Sequence, residues 1–177
     1  MIINDLENFN PQKPTILRGH TDFVRGAFFL NSDSIISWGN DGKVKFWHKR
    51  GTLLKTLGEH SSFVESVVLS PDGQLLFSRS DNGEAKVLHI ENDSFSTSIL
   101  GSVNIRAAAF WRPDTLLFLD SLGIRAWSFR QKNWIAKPLF FSRNDINNPV
   151  FSASADVFLF LKNDNQYATL GQLHRFF

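Results

Sequence analysis

The chain has 177 residues, of which 42% are hydrophobic, enough to bury the core of one or two domains. Nineteen Lys and Arg against 17 Asp and Glu give a formal net charge of only +2 without a basic run, so nucleic acid is not an expected partner. Cysteine is absent, which excludes disulfides and thiolate chemistry. No signal peptide or membrane-span pattern occurs, so we expect a cytoplasmic protein that binds no membrane.

The first 14 residues are predicted to be an N-terminal extension or linker. The prolines of Asn10-Pro11-Gln12-Lys13-Pro14 favour extended backbone, as in a segment that precedes a domain. The remainder, residues 15–177, is predicted to form the domain.

The first repeating unit contains four predicted strands. Short apolar runs alternate with turn sequences such as Asn40-Asp41-Gly42, a pattern typical of antiparallel strands, and no helix of normal length fits between them. The predicted strands are Val24–Leu30, Ser34–Trp38, Val44–Trp47 and Thr52–Thr56.

The same pattern recurs about 41 residues further along the chain. Residues 17–24 align with residues 57–64, and residues 41–47 align with residues 82–88. This recurrence predicts a second unit with the same arrangement of strands.

Two weaker copies follow. A third runs from Ile105 to Trp127 and keeps the 41-residue offset at Leu117–Leu119, with a shorter turn around Gly123. A fourth begins near Val150 and ends near Leu170. Because one four-stranded sheet cannot bury both of its faces, the units are predicted to stack around an axis as the blades of a propeller.

Gly19-His20, Asp41-Gly42 and Trp47 in the first unit are similar to the signature of the WD-repeat family (WD40, β-transducin repeat). The resemblance implies an all-β fold, a WD40-type propeller with about four blades of four antiparallel strands. It also implies a structural tetrad of hydrogen-bonded side chains that pins the first blade: His20, Ser37, Asp41 and Trp47.

The tetrad has an alternative interpretation, because Ser, His and Asp together can activate a hydroxyl nucleophile. The structural role is favoured, since buried donors of Ser, His and Trp each need a partner. The second unit keeps His60 and Ser78 but has Asn82 and Leu88 at the other two positions. Its network is therefore expected to be partial and its blade looser.

Propellers of this family usually close with roughly seven blades, more than the four found here. Three hypotheses follow: a part of a longer propeller, a half-ring that forms a homodimer, or a small four-bladed ring. Either Thr15–Leu17 or Leu173–Phe177 is expected to add the outer strand that completes a last blade.

The resemblance implies a non-enzymatic scaffold for protein or peptide partners, with no cofactor and no metal. The alternative is a propeller-type enzyme or small-ligand binder that uses loops at the central channel. Phe23 and Phe63 are the expected anchors for a partner, unless both rings pack into their own blades. The full partner-facing set is Thr21, Phe23, Asn40, Ser61, Phe63, Asp81 and Asn104.

Overall fold

The structure is a computed structural model that describes residues 2–3, 14–91, 94–102, 105–120, 123–135, 147–151, 157–161 and 168–172, with side chains for 14–90, 105–120 and 123–135. Every regular element in these ranges is a strand. The strands are β1 (Ile2–Ile3), β2 (Thr15–Ile16), β3 (Val24–Phe29), β4 (Ser34–Gly39), β5 (Lys43–His48), β6 (Leu53–Glu59), β7 (Val64–Leu69), β8 (Leu75–Ser80), β9 (Glu84–Glu91), β10 (Ser94–Ser102), β11 (Ala107–Arg112), β12 (Thr115–Asp120), β13 (Gly123–Ser128), β14 (Asn133–Trp134), β15 (Asn147–Phe151), β16 (Val157–Leu161) and β17 (Ala168–Gln172).

These strands form successive antiparallel meanders. Blade 1 is β3–β6, blade 2 is β7–β10, blade 3 is β11–β14, and a three-stranded blade 4 is β15–β17. The four predicted strands of the first unit are confirmed, although the last extends to Glu59 rather than Thr56. No helix long and apolar enough to cross a membrane occurs in the described ranges.

Neighbouring blades meet along their first strands, where β7 contacts β3, β11 contacts β7 and β15 contacts β11. Apolar side chains fill the space between the sheets, which provides most of the folding free energy. The cluster between blades 1 and 2 consists of Ile36, Val44, Leu57, Val64, Val67, Leu76 and Leu88. The cluster between blades 2 and 3 consists of Leu75, Phe77, Ala85, Val87, Ile105, Phe110, Leu116 and Phe118.

The other face of blade 1 buries Trp47 with Leu17 and Ile35. On the same face Phe29 is 58% exposed, although its counterpart in blade 2, Leu69, packs into the cluster between the blades. The described sheets do not form a closed ring. The hypotheses of a longer propeller, a homodimer and a four-bladed ring therefore stay predictions.

Thr15–Ile16 forms the predicted N-terminal strand, but its partner is Ile2–Ile3 rather than the last blade. In the described pairing this segment does not join blade 4, and its expected role as the outer strand of a last blade stays a prediction. The competing segment, Leu173–Phe177, lies outside the described residues. The division of the chain between residues 14 and 15 stays a prediction.

The alignment of the third repeat is wrong by one residue. Ser37 pairs with Lys45 in blade 1 and Ser78 pairs with Lys86 in blade 2, whereas in blade 3 the corresponding pair is Phe118 and Arg125. The 41-residue offset had placed Leu119 at the serine position. Because a shift of one residue exchanges the two faces of a strand, Phe118 rather than Leu119 faces blade 2.

Candidate functional site

The four residues of the expected tetrad lie together on blade 1 in one chain of hydrogen bonds. The Trp47 indole N–H donates to Ser37 Oγ over 2.8 Å, and Ser37 Oγ lies 2.7 Å from His20 Nε2. His20 Nδ1 lies 2.9 Å from both carboxylate oxygens of Asp41. Because a carboxylate can only accept, His20 donates from Nδ1, and its Nε2 accepts the Ser37 hydroxyl proton.

Asp41 also fixes the backbone around it. Its carboxylate accepts the Thr21 N–H over 3.2 Å and the Lys43 N–H over 3.2 Å. Gly42, with φ of +72°, completes this turn, and its carbonyl accepts the His60 N–H of blade 2 over 2.7 Å. The turn therefore connects the tetrad to the next blade.

The ionisation of the tetrad follows from its burial and its bonds. Burial lowers the pKa of His20 in spite of the Asp41 carboxylate, which acts to raise it. Burial acts to raise the pKa of Asp41, but the bonds from His20, Thr21 and Lys43 together lower it. The arrangement is thus a neutral imidazole that donates to a carboxylate.

This geometry does not favour hydrolysis. The Ser37 side chain is fully buried, and its oxygen already accepts from Trp47 while its proton is directed to His20. A nucleophile needs an open approach for the substrate carbon. No group of three or more His, Asp or Glu side chains that could hold a metal occurs in the part of the chain that the structure describes.

Blade 2 forms a network in which two residues share the functions of Asp41. His60 Nε2 lies 2.8 Å from Ser78 Oγ, as expected from the sequence. Asn82 accepts the Glu84 N–H over 3.2 Å and so closes the turn. The Glu84 carboxylate accepts the Ser61 N–H over 2.9 Å and lies 3.6 Å from His60 Nδ1.

The expected partial network is thus extended by Glu84, which sequence reasoning missed. Glu84 stands at the position of Lys43, two residues after the turn residue, where the repeat pattern contains no acid. An acidic residue so close to Asn82, which lacks the carboxylate of Asp41, was the sequence feature that could have indicated the role of Glu84. His60 Nδ1 itself is buried and has no hydrogen-bond partner in the described structure, because 3.6 Å is too long.

The two ionisable groups of this network have large pKa shifts. Burial, together with the charge of Lys86, lowers the pKa of His60 to about 4, although Glu84 opposes the shift. The hydrogen bond from Lys86 and those from Ser61 lower the pKa of Glu84 to about 2. Glu84 therefore stays ionised beside a neutral His60 over the whole pH range in which His60 titrates in the unfolded chain.

We expect the free energy of unfolding to fall as the pH is lowered from about 6.5 to about 4. In this range the unfolded chain protonates His60 but the folded protein does not, so the unfolded state binds more protons. At pH 5 the loss from this one histidine is about 2 kcal/mol relative to pH 7. Urea unfolding at both pH values measures it. His60→Gln should reduce the difference; an undiminished difference in that variant would show that His60 is not the cause.

Blade 3 contains no such chain of bonds in its described part. Phe118 occupies the serine position, and the Asp120 carboxylate forms a buried ion pair with Arg125 instead. The Arg125 guanidinium lies 4.1 Å from the ring centroid of Trp134, and Trp134 packs edge-on against Trp127 at 4.9 Å. An ion pair with aromatic packing thus stands where blades 1 and 2 have the histidine network.

The positions expected to face a partner lie at one end of blades 1 and 2, which we call the rim: Thr21, Phe23, Asn40, Ser61, Phe63 and Asp81. Phe23 is 78% exposed, whereas Phe63 is half-buried. The exposure of Phe23 fits its expected role as a partner anchor, whereas the partial burial of Phe63 fits the alternative that its ring packs into the blade. Thr21, Ser61 and Asp81 are exposed and Asn40 is half-buried, while Asn104 lies outside the described residues.

The backbone under Phe23 is fixed. Its carbonyl accepts the Asn40 N–H over 2.8 Å, and its own N–H donates to Asp22 over 2.6 Å. A Cβ atom on Gly39 would lie 2.3 Å from the Phe23 carbonyl oxygen, so only glycine permits this approach. An exposed aromatic ring on a fixed backbone can bind a partner at a small entropic cost.

The rim also contains Arg25, a residue that the repeat pattern does not single out. Arg25 occupies a bulge between Val24 and Gly26, and its guanidinium lies 4.2 Å from the centroid of Phe63. A bulge re-aims a side chain in a way that strand alternation does not predict. The sequence indicates this position only by the fact that the corresponding residue of the next repeat, Glu65, is also charged.

Comparisons with known proteins agree with this architecture. Residues 11–48 and 51–88 match the family model described as "WD domain, G-beta repeat". The small ribosomal subunit protein RACK1 of Caenorhabditis elegans is 31% identical over 123 residues, 66% of this chain and 37% of the relative. The nuclear distribution protein nudF of Aspergillus terreus is 38% identical over 52 residues, 29% of this chain and 12% of the relative.

A solved structure has the same fold. The C-terminal WD40 domain of Sif2 matches 84% of this chain with a TM-score of 0.65, at 18% identity. The match covers 43% of that domain. The chain thus spans less than half the length of these relatives. The prediction of antiparallel blades of a WD-type propeller is confirmed.

Proposed function

Because the chain belongs to the WD40 repeat family, we propose that it is a non-enzymatic scaffold that binds a protein or peptide partner at the rim of blades 1 and 2. The observation that carries the proposal is Phe23, a ring 78% exposed on a backbone fixed by Asn40 and Gly39. Exposed aromatic anchors contribute much of the free energy of protein interfaces.

The relatives are consistent with a role in assemblies. RACK1 is named as a protein of the small ribosomal subunit, and nudF is named for nuclear distribution. Neither name fixes a partner for this chain. The proposal extends only to the class of partner, a protein or peptide.

The buried tetrad supports the absence of catalysis in this proposal. The residues that resemble a catalytic triad are committed to each other, with the His20 side chain 5% exposed and that of Asp41 2% exposed. Substrate would have to displace Trp47 from Ser37 to reach the hydroxyl oxygen. We therefore assign these side chains to the framework and the rim to binding.

Replacing Phe23 by alanine should strongly weaken capture of the partner without unfolding the protein. A cell extract is passed over the immobilised wild-type chain and over the immobilised variant. The proteins that each retains are quantified by mass spectrometry. The amount of retained partner should fall at least about tenfold, because truncating an anchor ring costs more than about 1.4 kcal/mol of binding free energy. The circular dichroism spectrum should stay unchanged.

Phe29→Ala is the matched control. It removes a ring that is 58% exposed at the other end of the same strand. The partner should be retained by this variant. If the Phe23→Ala variant also retains it, the rim is not the binding surface.

A further inference from the structure

Arg25 is held in one orientation by two contacts of different kinds. Its Nε–H donates to Asn40 Oδ1 over 2.6 Å, and its guanidinium carbon Cζ lies 4.2 Å from the centroid of the Phe63 ring. Arginine side chains lose much rotamer entropy when they bind. At Arg25 a large part of this entropy is already lost in the free protein.

The two amino groups of the guanidinium remain available. Among the described residues Arg25 has no acidic partner within ion-pair distance, and its side chain is exposed. Glu65, the residue at the same position of blade 2, is paired with Arg79. Arg25 is therefore an oriented positive charge whose two Nη groups form no hydrogen bond or ion pair with the described residues.

Asn40 connects this charge to the exposed ring. Its side-chain oxygen holds Arg25, and its backbone N–H holds the carbonyl of Phe23. One residue thus holds both the guanidinium and the backbone that carries the apolar ring, at the same end of blade 1. A carboxylate fits a guanidinium with two parallel hydrogen bonds, which an ammonium group cannot offer.

We propose that the rim takes a peptide segment with an Asp or Glu side chain next to an apolar side chain, the carboxylate on Arg25 and the apolar group on Phe23. This inference rests on the proposed function and narrows its partner to an acidic peptide. Two side chains of different chemistry on a fixed backbone select a sequence pattern rather than any exposed apolar segment.

The probe is an array of synthetic peptides that pair one Asp or Glu with one Phe or Leu at spacings of one to four residues. Each peptide has a partner with Asn or Gln and another with phosphoserine at the acidic position. The wild-type protein should bind the acidic peptides about tenfold more tightly than the amide peptides at low salt. Added salt should reduce this preference, because the contact is exposed.

Three variants make the test specific. Arg25→Gln and Arg25→Lys should lose the preference for acid over amide, the latter because it keeps the charge but not the paired donors. Arg50→Gln removes the same charge from the exposed turn between β5 and β6, at the opposite end of the blade, and should retain the preference. Circular dichroism checks that all three variants are folded.

The outcomes separate the inference from the proposed function. Binding that depends on Phe23 but is the same for acid and amide peptides would overturn the role of Arg25 and leave the scaffold proposal intact. A preference for phosphoserine over Asp and Glu would also overturn it, since the occupant would then be a phosphorylated segment. If no array peptide binds while Phe23-dependent capture persists, the partner is not an acidic peptide.

Discussion

Replacing Trp47 by alanine should lower the free energy of unfolding by about 4 kcal/mol, a value typical of a fully buried tryptophan. The indole is completely buried against Leu17 and Ile35, and Gly19 approaches so closely that a Cβ atom there would lie 3.0 Å from the ring. Truncation leaves a cavity and also leaves Ser37 Oγ without its donor. Urea unfolding followed by tryptophan fluorescence and circular dichroism measures the change.

Trp47→Phe separates the packing from the hydrogen bond. It keeps most of the ring volume but removes the indole N–H, so the expected loss is only about 1 to 3 kcal/mol. Both variants should leave peptide binding at the rim unchanged under conditions where they are folded. Equal losses in the two variants would mean that the hydrogen-bonded network, not the buried volume, dominates at this position.

The largest expected effect outside blade 1 is at Asp120, where alanine should cost about 3 kcal/mol because it leaves a buried charge unpaired. The Asp120 side chain is fully buried and that of its partner Arg125 is 13% exposed. Arg125 Nε already has no hydrogen-bond partner in the described structure. Thermal and urea unfolding of Asp120→Ala provide the measurement.

Two further variants test this explanation. Asp33→Ala removes one member of the exposed Asp33–Lys49 pair and should change stability little, since exposed ion pairs contribute little. The double replacement Asp120→Leu with Arg125→Met removes both charges and should be less harmful than Asp120→Ala. A double variant that is as unstable as the single one would contradict the ion-pair explanation.

The sequence predicted blade 1 most accurately because its signals agree with one another. Asn40-Asp41-Gly42 specifies the turn, and the apolar residues on both sides specify the strands. The structure also brings the four expected side chains into one chain of bonds. Their framework role stays a prediction that the Trp47 variants test.

The register of blade 3 could not be predicted from the repeat pattern, for a physical reason. Leu116, Leu117, Phe118 and Leu119 are apolar on both faces of β12, so no polar residue marks which face points to blade 2. The shortened turn before Gly123 removes the second marker. The strand pairing fixes the alignment, since Leu116 pairs with Trp127 as Ile35 pairs with Trp47 in blade 1.

The site residues could be predicted where they occupy positions of the repeat signature. They could not be predicted where a residue at another position performs the function of a signature residue. Glu84 supplies the carboxylate that the repeat expects two residues earlier, at Asn82. Arg25 becomes part of the rim through a bulge and a contact across to Phe63 of the next blade. Both depend on three-dimensional proximity that a spacing rule does not contain.

Taken with the confirmed fold, these contacts support the proposed division of the chain into a framework and a binding end. The buried networks of blades 1 and 2 hold the turns that carry the rim, because Asp41 binds the Thr21 N–H and Glu84 binds the Ser61 N–H. A loss of either carboxylate should therefore disturb binding only through the positions of these turns.

Amide hydrogen exchange with and without the captured partner tests the proposed binding surface most directly. We expect slower exchange on binding at residues 21–25, 39–41, 61–65 and 80–82, which form the rim, and no change at the opposite turns, residues 30–34, 49–52 and 70–74. Protection confined to the opposite turns, with the rim unchanged, would contradict the account.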